Sequence, residues 1–412
     1  MPKLQEAIFS ITNRCNLRCR MCDIPFNKTE ELTTDELKKA IKDLSMIGAR
    51  TVVFSGGEPL LREDIFDLIS FARSNHLNAC ITSNGALIDK ETASKLKKAG
   101  VNVVNISVEG NKKAHEYLRG EGNFDKAVLA LENLKECGVE STVASTVSRY
   151  NYEFLPEVMD LAKEKGSTTV RFQPFSRIFL KDSSREKEFL INREESDKMT
   201  AVIEEIIKKA SEYGISTNPV NYLRNIPGYL SGRQLPLQNG CSALWTSCPI
   251  NSKGDLFPCW VVTESEKLIG NIKHDKLLDL WFSEKHGQIR NKLTKEGCPG
   301  CMMSCYDGIF ETGEYKAKWV KVIGKMAKTS SYRKIPDMLL QSVKGELAKL
   351  KARLRFYRSY NGSLKKVFVR AVNKINRGLK VKNAPARVNV NKLLSEIRAE
   401  KDKIEKEISK CR

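Results

Sequence analysis

Up to about residue 175 of this 412-residue chain, short apolar runs alternate with stretches of helical periodicity, and that alternation limits the fold more than any other feature. Strand-like runs fall at Ala7 to Ile11, Thr51 to Phe54, Asn78 to Thr82, Val101 to Val108, Ser141 to Val147 and Thr169 to Gln173. Strands separated by helices do not join through tight hairpins; the connection crosses over, so neighbouring strands lie parallel with the helices packed against them. Leu37, Ala40, Ile41, Leu44 and Ile47 keep helical spacing, Thr33 and Glu36 have the pattern of a capping box, and Gly48 suits the helix end. Two later helices read from Phe124, Ala127, Val128, Leu131 and Leu134 to Gly138, and from Phe154, Leu155, Val158 and Ala162 to Gly166. Six such strands predict an α/β fold, a parallel sheet curled into a partial barrel whose chemistry belongs at the C-terminal ends of its strands. A closed eight-stranded barrel would need more chain.

Cys15, Cys19 and Cys22 follow the first apolar run directly. Three thiols at this spacing can hold three irons of a four-iron four-sulfur cluster and leave the fourth iron open to a ligand. A closed zinc site wants a fourth Cys or His nearby, and the nearest histidine is His76. Spacing alone leaves a cluster, a zinc site and plain buried thiols open. Ser55-Gly56-Gly57-Glu58-Pro59 ends the second run, with two glycines that admit a close backbone approach.

At this point the chain resembles the radical S-adenosylmethionine enzymes, which carry the same three-Cys loop after the first barrel strand and a Gly-Gly-Glu-Pro loop after the second. The resemblance runs from about Leu4 to Tyr306 and predicts a partial (β/α)6 radical SAM barrel. It implies that Cys15, Cys19 and Cys22 bind a 4Fe-4S cluster whose free iron is chelated by S-adenosylmethionine. Gly56, Gly57, Glu58 and Pro59 would then hold the methionine amino group. Thr82-Ser83-Asn84-Gly85, Ser107-Val108-Glu109-Gly110 and His115 to Gly120 match one branch of the family. By that resemblance Ser107 and Arg119 take the methionine carboxylate and Asn84 lies near the nucleoside; the arginine fork suits a carboxylate. Met21 stands where the family often has an aromatic residue, and Glu109 where it often has Asp.

Asn192 to Tyr213 reads as a long helix with Met199, Ile203, Ile206 and Ile207 inward. Pro219, Pro227, Gly228, Gly232, Pro236 and Gly240 then mark a boundary, dividing a core barrel (1–218) from a small Cys-rich domain (219–315). That domain holds Cys241, Cys248, Cys259, Cys298, Cys301 and Cys305. Gly254 with Cys259, Gly270-Asn271-Ile272 and a Leu277 to Trp281 helix resemble the auxiliary extension called SPASM or, when shortened, twitch. This implies at least one auxiliary 4Fe-4S cluster, with Cys241, Cys259, Cys298 and Cys301 as ligands and Cys305 as a substitute; the role of Cys248 stays open. A zinc ribbon is the alternative on spacing alone. With no signal peptide ahead of Cys15, disulfides are not expected. Cys80, Cys137 and Cys411 read as unpaired thiols, the first two in the core.

The formal net charge of +20 is confined to one end: Lys316 to Arg412 carries 28 Lys plus Arg against 7 Asp plus Glu, leaving 42 against 43 in the first 315 residues. This basic tail (316–412) has apolar helical stripes at Leu339, Leu340, Val343, Leu347, Leu350 and Leu354, and at Leu364, Val367, Phe368, Ala371, Val372 and Ile375. Basic amphipathic helices lie on anionic membranes or dock on acidic partners, and they also pack back on their own domain. Nucleic acid is less favoured, because the stripes are richer than phosphate binding needs. No apolar run reaches the roughly twenty residues that span a bilayer, so any membrane attachment is expected to be peripheral, on the inner face; oxygen-labile clusters need a reducing compartment, and the expected place is the cytoplasm.

The function these readings predict is reductive cleavage of S-adenosylmethionine to a 5′-deoxyadenosyl radical, which takes a hydrogen atom from a second substrate. The resemblance implies a flavodoxin- or ferredoxin-type reductant. The second substrate is expected to be a peptide or protein, as is commonest in the family, or a membrane-associated, lipid-linked molecule, as the tail suggests. The contrasting reading is a non-catalytic, metal-stapled binding protein, held by zinc or iron–sulfur, whose tail docks on membrane or nucleic acid.

Overall fold

The computed structural model describes residues 4–233, 246–263, 265–296 and 301–303. All of them belong to one compact unit, residues 1–322; the second unit, residues 323–412, and with it both tail stripes, lies outside the described residues.

Six strands alternate with helices as the pattern predicts: β1 (Glu6–Thr12), β2 (Thr51–Gly56), β3 (Asn78–Ser83), β4 (Val103–Ser107), β5 (Glu140–Val147) and β6 (Thr169–Pro174). They pair in sequence order, all parallel. Between them run α1 (Thr34–Ile47), α2 (Ile65–Ser74), α3 (Lys90–Ala99), α4 (Lys112–Arg119), α5 (Asn123–Glu136) and α6 (Leu155–Lys165). In α1 both hydrogen bonds of the Thr33/Glu36 capping box form, and Gly48 ends the helix at φ 90°. A left-handed terminus of this kind is open to glycine without a Cβ penalty.

Burial alternates along β1, β3 and β6. Ala7, Phe9 and Ile11 of β1 are buried, while Glu6, Ile8 and Ser10 are half-buried. The buried set packs with Leu37, Ile41 and Leu44 of α1 and Ile65, Leu68 and Ile69 of α2 in one continuous core, and each Leu or Ile so buried contributes roughly 1.5–3 kcal/mol. The opposite face is polar: the register lines up Thr82, Asn105, Thr142 and Thr169 in one row and Val53, Cys80, Val103 and Glu140 in another. Cys80 belongs to this face, half-buried and outside the hydrophobic core, a correction to the expectation of a core thiol. Its strand position has the parity of Asn78 and Thr82 instead of that of buried Ala79 and Ile81.

The free edge of β6 is covered. Val170 N donates to Ser216 O at 2.9 Å, and Phe172 N to the Asn218 side chain at 2.7 Å. These residues follow α7 (Arg193–Tyr213), which starts at an Asn192/Glu195 capping box. The Pro- and Gly-bearing run beyond begins with a helix, α8 (Val220–Leu230), which contains Pro227 and packs on α7 and β6.

On the other flank the sheet continues. A seventh strand, β7 (Ser247–Ile250), pairs in parallel with β1, and β8 (Asp255–Leu256) and β9 (Gly270–Asn271) add antiparallel. The β7–β8 turn needs Gly254, at φ +93°, where a Cβ would press on Asn271, Leu32 and Ile272. Two helices close the region, α9 (Leu277–Trp281) and α10 (Glu284–Glu296). The start of α9 is tied to α1 by Leu278 N donating to Asp43 at 3.2 Å.

Candidate active site

The loops that leave the C-terminal ends of β1 to β5 converge. The end of β1 is fixed from below: Glu31 accepts from the Thr12 hydroxyl and, at 3.2 Å, from Asn13 N. Arg62, 8% exposed, binds the Ile11 and Leu32 carbonyls at 3.2 and 3.0 Å and forks onto Asp64. Neither Glu31 nor Arg62 was singled out by the sequence; the trace was an Arg-x-Asp closely following Pro59.

From this anchor the loop carries Cys15, Cys19 and Cys22, three half-buried thiols close enough that the charges of Cys15 and Cys19 both act on Cys22. Burial raises the proton affinity of all three, Cys22 to about 11, while the Arg119 charge pulls each back. Leu17 N donates to Cys15 Sγ at 3.4 Å. Arg20 N to Leu118 O, 2.8 Å, and Asp23 N to Phe179 O, 2.7 Å, tie the loop to α4 and to the chain after β6.

The Gly-Gly-Glu-Pro loop lies against this segment. Gly57 N donates to Thr12 O at 2.7 Å and Glu58 N to Arg14 O at 2.8 Å. A Cβ on Gly56 would sit 2.2 Å from Thr12 O, and one on Gly57 2.1 Å from Arg14 O. The two glycines therefore let two loops of the chain fuse, where the sequence suggested room for a ligand. Glu58 is fully buried and turned inward: Ser83 Oγ, Asn84 N and Leu60 N donate to it at 3.0, 2.8 and 3.2 Å. Burial outweighs these bonds and pushes its carboxyl up to about 7. Its side chain thus positions the loops after β2 and β3. Pro59 is buried at the start of a short 3-10 turn.

Asn84, set by that clamp, donates from Nδ2 to Asn16 Oδ1 at 2.8 Å and lies 3.8 Å from Cys15 Sγ. Ser107 ends β4, 8% exposed. Glu109 is fully buried and accepts from Arg119 Nε at 2.7 Å and from Thr146 N at 2.6 Å. The Arg119 fork is thereby occupied on one side, and Nη1 is left 3.9 Å from Cys19 Sγ. Below it, His115 Nδ1 accepts from Glu109 N at 3.2 Å.

A cluster of iron and thiolate sulfur carries net negative charge and is stabilised by N–H donors aimed at its sulfurs. Leu17 N and Asn84 Nδ2 approach the Cys15 sulfur and Arg119 Nη1 the Cys19 sulfur, so the donors around the cysteine loop suit such a group, while among the described residues the thiols are not gathered into a metal-ready set. In the second region, Cys259 is 5% exposed, accepts from Val262 N at 3.3 Å, and packs with Cys301 against the core. Cys241, Cys298 and Cys305 lie outside the described residues. Cys248 occupies β7 opposite Ala7, wholly buried on the helix side, where the Arg290 charge reaches it.

Comparison with known proteins agrees. The chain is 34% identical to the Fe-coproporphyrin III synthase of Methanosarcina barkeri over 52% of its own length, spanning about half (54%) of that relative. It is 29% identical to the mycofactocin maturase MftC of Mycolicibacterium smegmatis, covering 72% of this chain and 74% of that one. The fold is similar to the crystal structure of Streptococcus suis SuiB bound to S-adenosylmethionine, with TM-score 0.58 and 19% identity over 70% of this chain and 68% of that one. Residues 9–169 match the radical SAM superfamily. Residues 241–306 match the SPASM iron–sulfur cluster-binding domain. The first domain implies S-adenosylmethionine and a 4Fe-4S cluster as cofactors, and the second implies auxiliary iron–sulfur clusters. The two matches together span more than half of the chain, which belongs to the radical SAM superfamily and carries a SPASM domain.

Proposed function

We propose that this chain cleaves S-adenosylmethionine reductively and removes a hydrogen atom from an unactivated C–H bond of a second substrate, a peptide or protein. The observation that carries the reading is the meeting of Asn84, just after β3, with Cys15 and of Arg119, at the end of α4, with Cys19 on the loop after β1. When bound, the cluster supplies the electron that breaks a carbon–sulfur bond of the sulfonium. The residues around it bind, orient and exclude water. Glu58 fixes the loops after β2 and β3. Glu109 holds the Arg119 guanidinium with one N–H toward the cysteine loop, and the Ser107 hydroxyl stands at the end of β4. The polar face of the sheet below this rim is where the second substrate meets the reacting carbon, as in barrels that work at strand C-terminal ends.

The peptide reading is supported by the resemblance, since peptides and proteins are the family's commonest substrates, and by a maturase relative matched over 74% of its length. A tetrapyrrole is the second reading, favoured by the coproporphyrin synthase relative. Anaerobically reconstituted enzyme with reductant should form 5′-deoxyadenosine. Alanine at Cys15, Cys19 and Cys22 should abolish it, and alanine at Cys259 and Cys301 should spare part. A folded, iron-loaded chain that makes none is a binding protein instead. Turnover above the basal rate with a peptide library but not with coproporphyrin III separates the two substrate readings.

A further inference from the structure

Glu6 opens β1 on the face away from the helices, at the end opposite the cysteine loop. Burial pushes its carboxyl up to about 7, and no hydrogen bond or opposite charge pulls it back. On the adjoining strand Ser247 is in register with Glu6. In-register residues of parallel neighbours emerge on the same face, about 5 Å apart. Ser247 is 2% exposed, and its hydroxyl has no hydrogen-bond partner. A buried hydroxyl left unsatisfied costs about 1–3 kcal/mol, and a half-buried carboxyl whose surroundings disfavour its charge adds to that cost. The two groups start from in-register positions on one face, and neither has a hydrogen bond that offsets its cost.

The surroundings set the sign of that ligand. Thr51 flanks Glu6 on β2. Cys80, on β3, feels the negative charges of both Glu6 and Glu140. Arg73 is the cation that also reaches this end, and its guanidinium is committed to Leu77 O at 2.9 Å and Asn78 Oδ1 at 3.3 Å. Arg171 stands farther along the face, level with Ala144, and is tied to Thr217 O at 2.5 Å. Among the described residues this end therefore offers acceptors and negative charge, which repel a carboxylate.

We propose that Glu6 and Ser247 form a subsite that anchors a protonated amine of the second substrate, an inference that rests on the proposed function. An ammonium has three donors and no acceptor, so one N–H satisfies the Glu6 carboxylate and another the Ser247 oxygen. The six steps from Glu6 to Thr12 span about 20 Å of strand. The anchored amine thus sits far from the reacting carbon, as on a long substrate such as a lysine-bearing peptide.

The test uses Cys80 as reporter in the full chain. Its alkylation by N-ethylmaleimide is followed by peptide-resolved mass spectrometry under anaerobic conditions, with n-propylammonium or n-propanol added. The expectation is that the amine slows Cys80 alkylation about tenfold at about ten times its Kd. The alcohol should leave it unchanged, and Glu6→Gln and Ser247→Ala should each remove the protection. Equal slowing by the alcohol, no slowing by the amine, or protection that survives in either folded variant overturns the subsite. The readout needs no S-adenosylmethionine cleavage. Absence of 5′-deoxyadenosine from the same preparation would overturn the proposed function and leave the amine result to be judged on its own.

Discussion

Replacing Arg119 by alanine should cost far more stability than losing an exposed partner, because of what it leaves behind. Glu109 is fully buried while the Arg119 side chain is 14% exposed. Without the guanidinium the carboxylate keeps only Thr146 N at 2.6 Å and a long contact to Ser145 Oγ at 3.4 Å. Breaking a buried ion pair from one side costs about 3–5 kcal/mol. At roughly 2–4 °C per kcal/mol for a domain of this class, the midpoint should fall on the order of 10 °C. The matched control is Arg224→Ala, which breaks a pair to Glu204 whose side chains are 53% and 46% exposed. Exposed pairs are worth about 0–1 kcal/mol. Urea unfolding of the full chain, followed anaerobically by far-UV circular dichroism, measures both variants. Adding Glu109→Gln to Arg119→Ala should return part of the loss, since the stranded charge is then gone. If Arg119→Ala loses no more than Arg224→Ala, or the double variant is simply additive, the pair is not the buried brace described above.

Three further outcomes follow from the geometry. Gly57→Ala places a Cβ 2.1 Å from Arg14 O, a backbone collision that should cost about 1–3 kcal/mol and lower iron content after reconstitution; Gly287→Ala, with open space around it, should do neither. Glu6 ordinarily titrates near 4.5 and is raised to about 7 on folding. Between those values the folded chain keeps a proton that the unfolded chain releases, so stability falls as pH rises through that window. Glu6→Gln should flatten that slope in urea midpoints measured from pH 4.5 to 7.5, and an unchanged slope would assign it to other groups. We propose from the charge of residues 316–412 that the full chain co-sediments with anionic liposomes while a 1–315 chain does not. Raising salt should weaken the binding, because the Debye length shrinks; binding indifferent to salt or tail would retire membrane contact.

Period-2 and period-3.6 patterning made β1 to β6, α1, α5, α6 and α7 legible, because each of these elements buries one face and leaves the other wet. The helices α2, α3 and α4 escaped notice: α3 has few apolar residues, with only Ala93, Leu96 and Ala99 buried, and α4 is a single eight-residue stretch. Strand β7 was illegible for a different reason. Ser-Cys-Pro-Ile has no alternation to read, and its place beside β1 is a long-range choice. Among site residues, those in short motifs were found, and the buried supports were not. Glu31 and Arg62 act through groups distant in sequence, which no local spacing records. The Gly-Gly pair was found, but not its protein neighbours, since sequence shows that Cβ atoms are missing and not that Thr12 O and Arg14 O lie where they would be.

The pairing of β7 with β1 also sets a clock. Residues 6–9 leave the ribosome well before their second partner, residues 247–250. At about 5–20 residues per second, synthesis separates the two by roughly 10–50 s. Throughout that interval one flank of the first strand shows bare N–H and C=O groups, which invite pairing with other chains. A nascent barrel of this kind depends on a chaperone, or on slow folding, until the iron–sulfur region arrives to cover it.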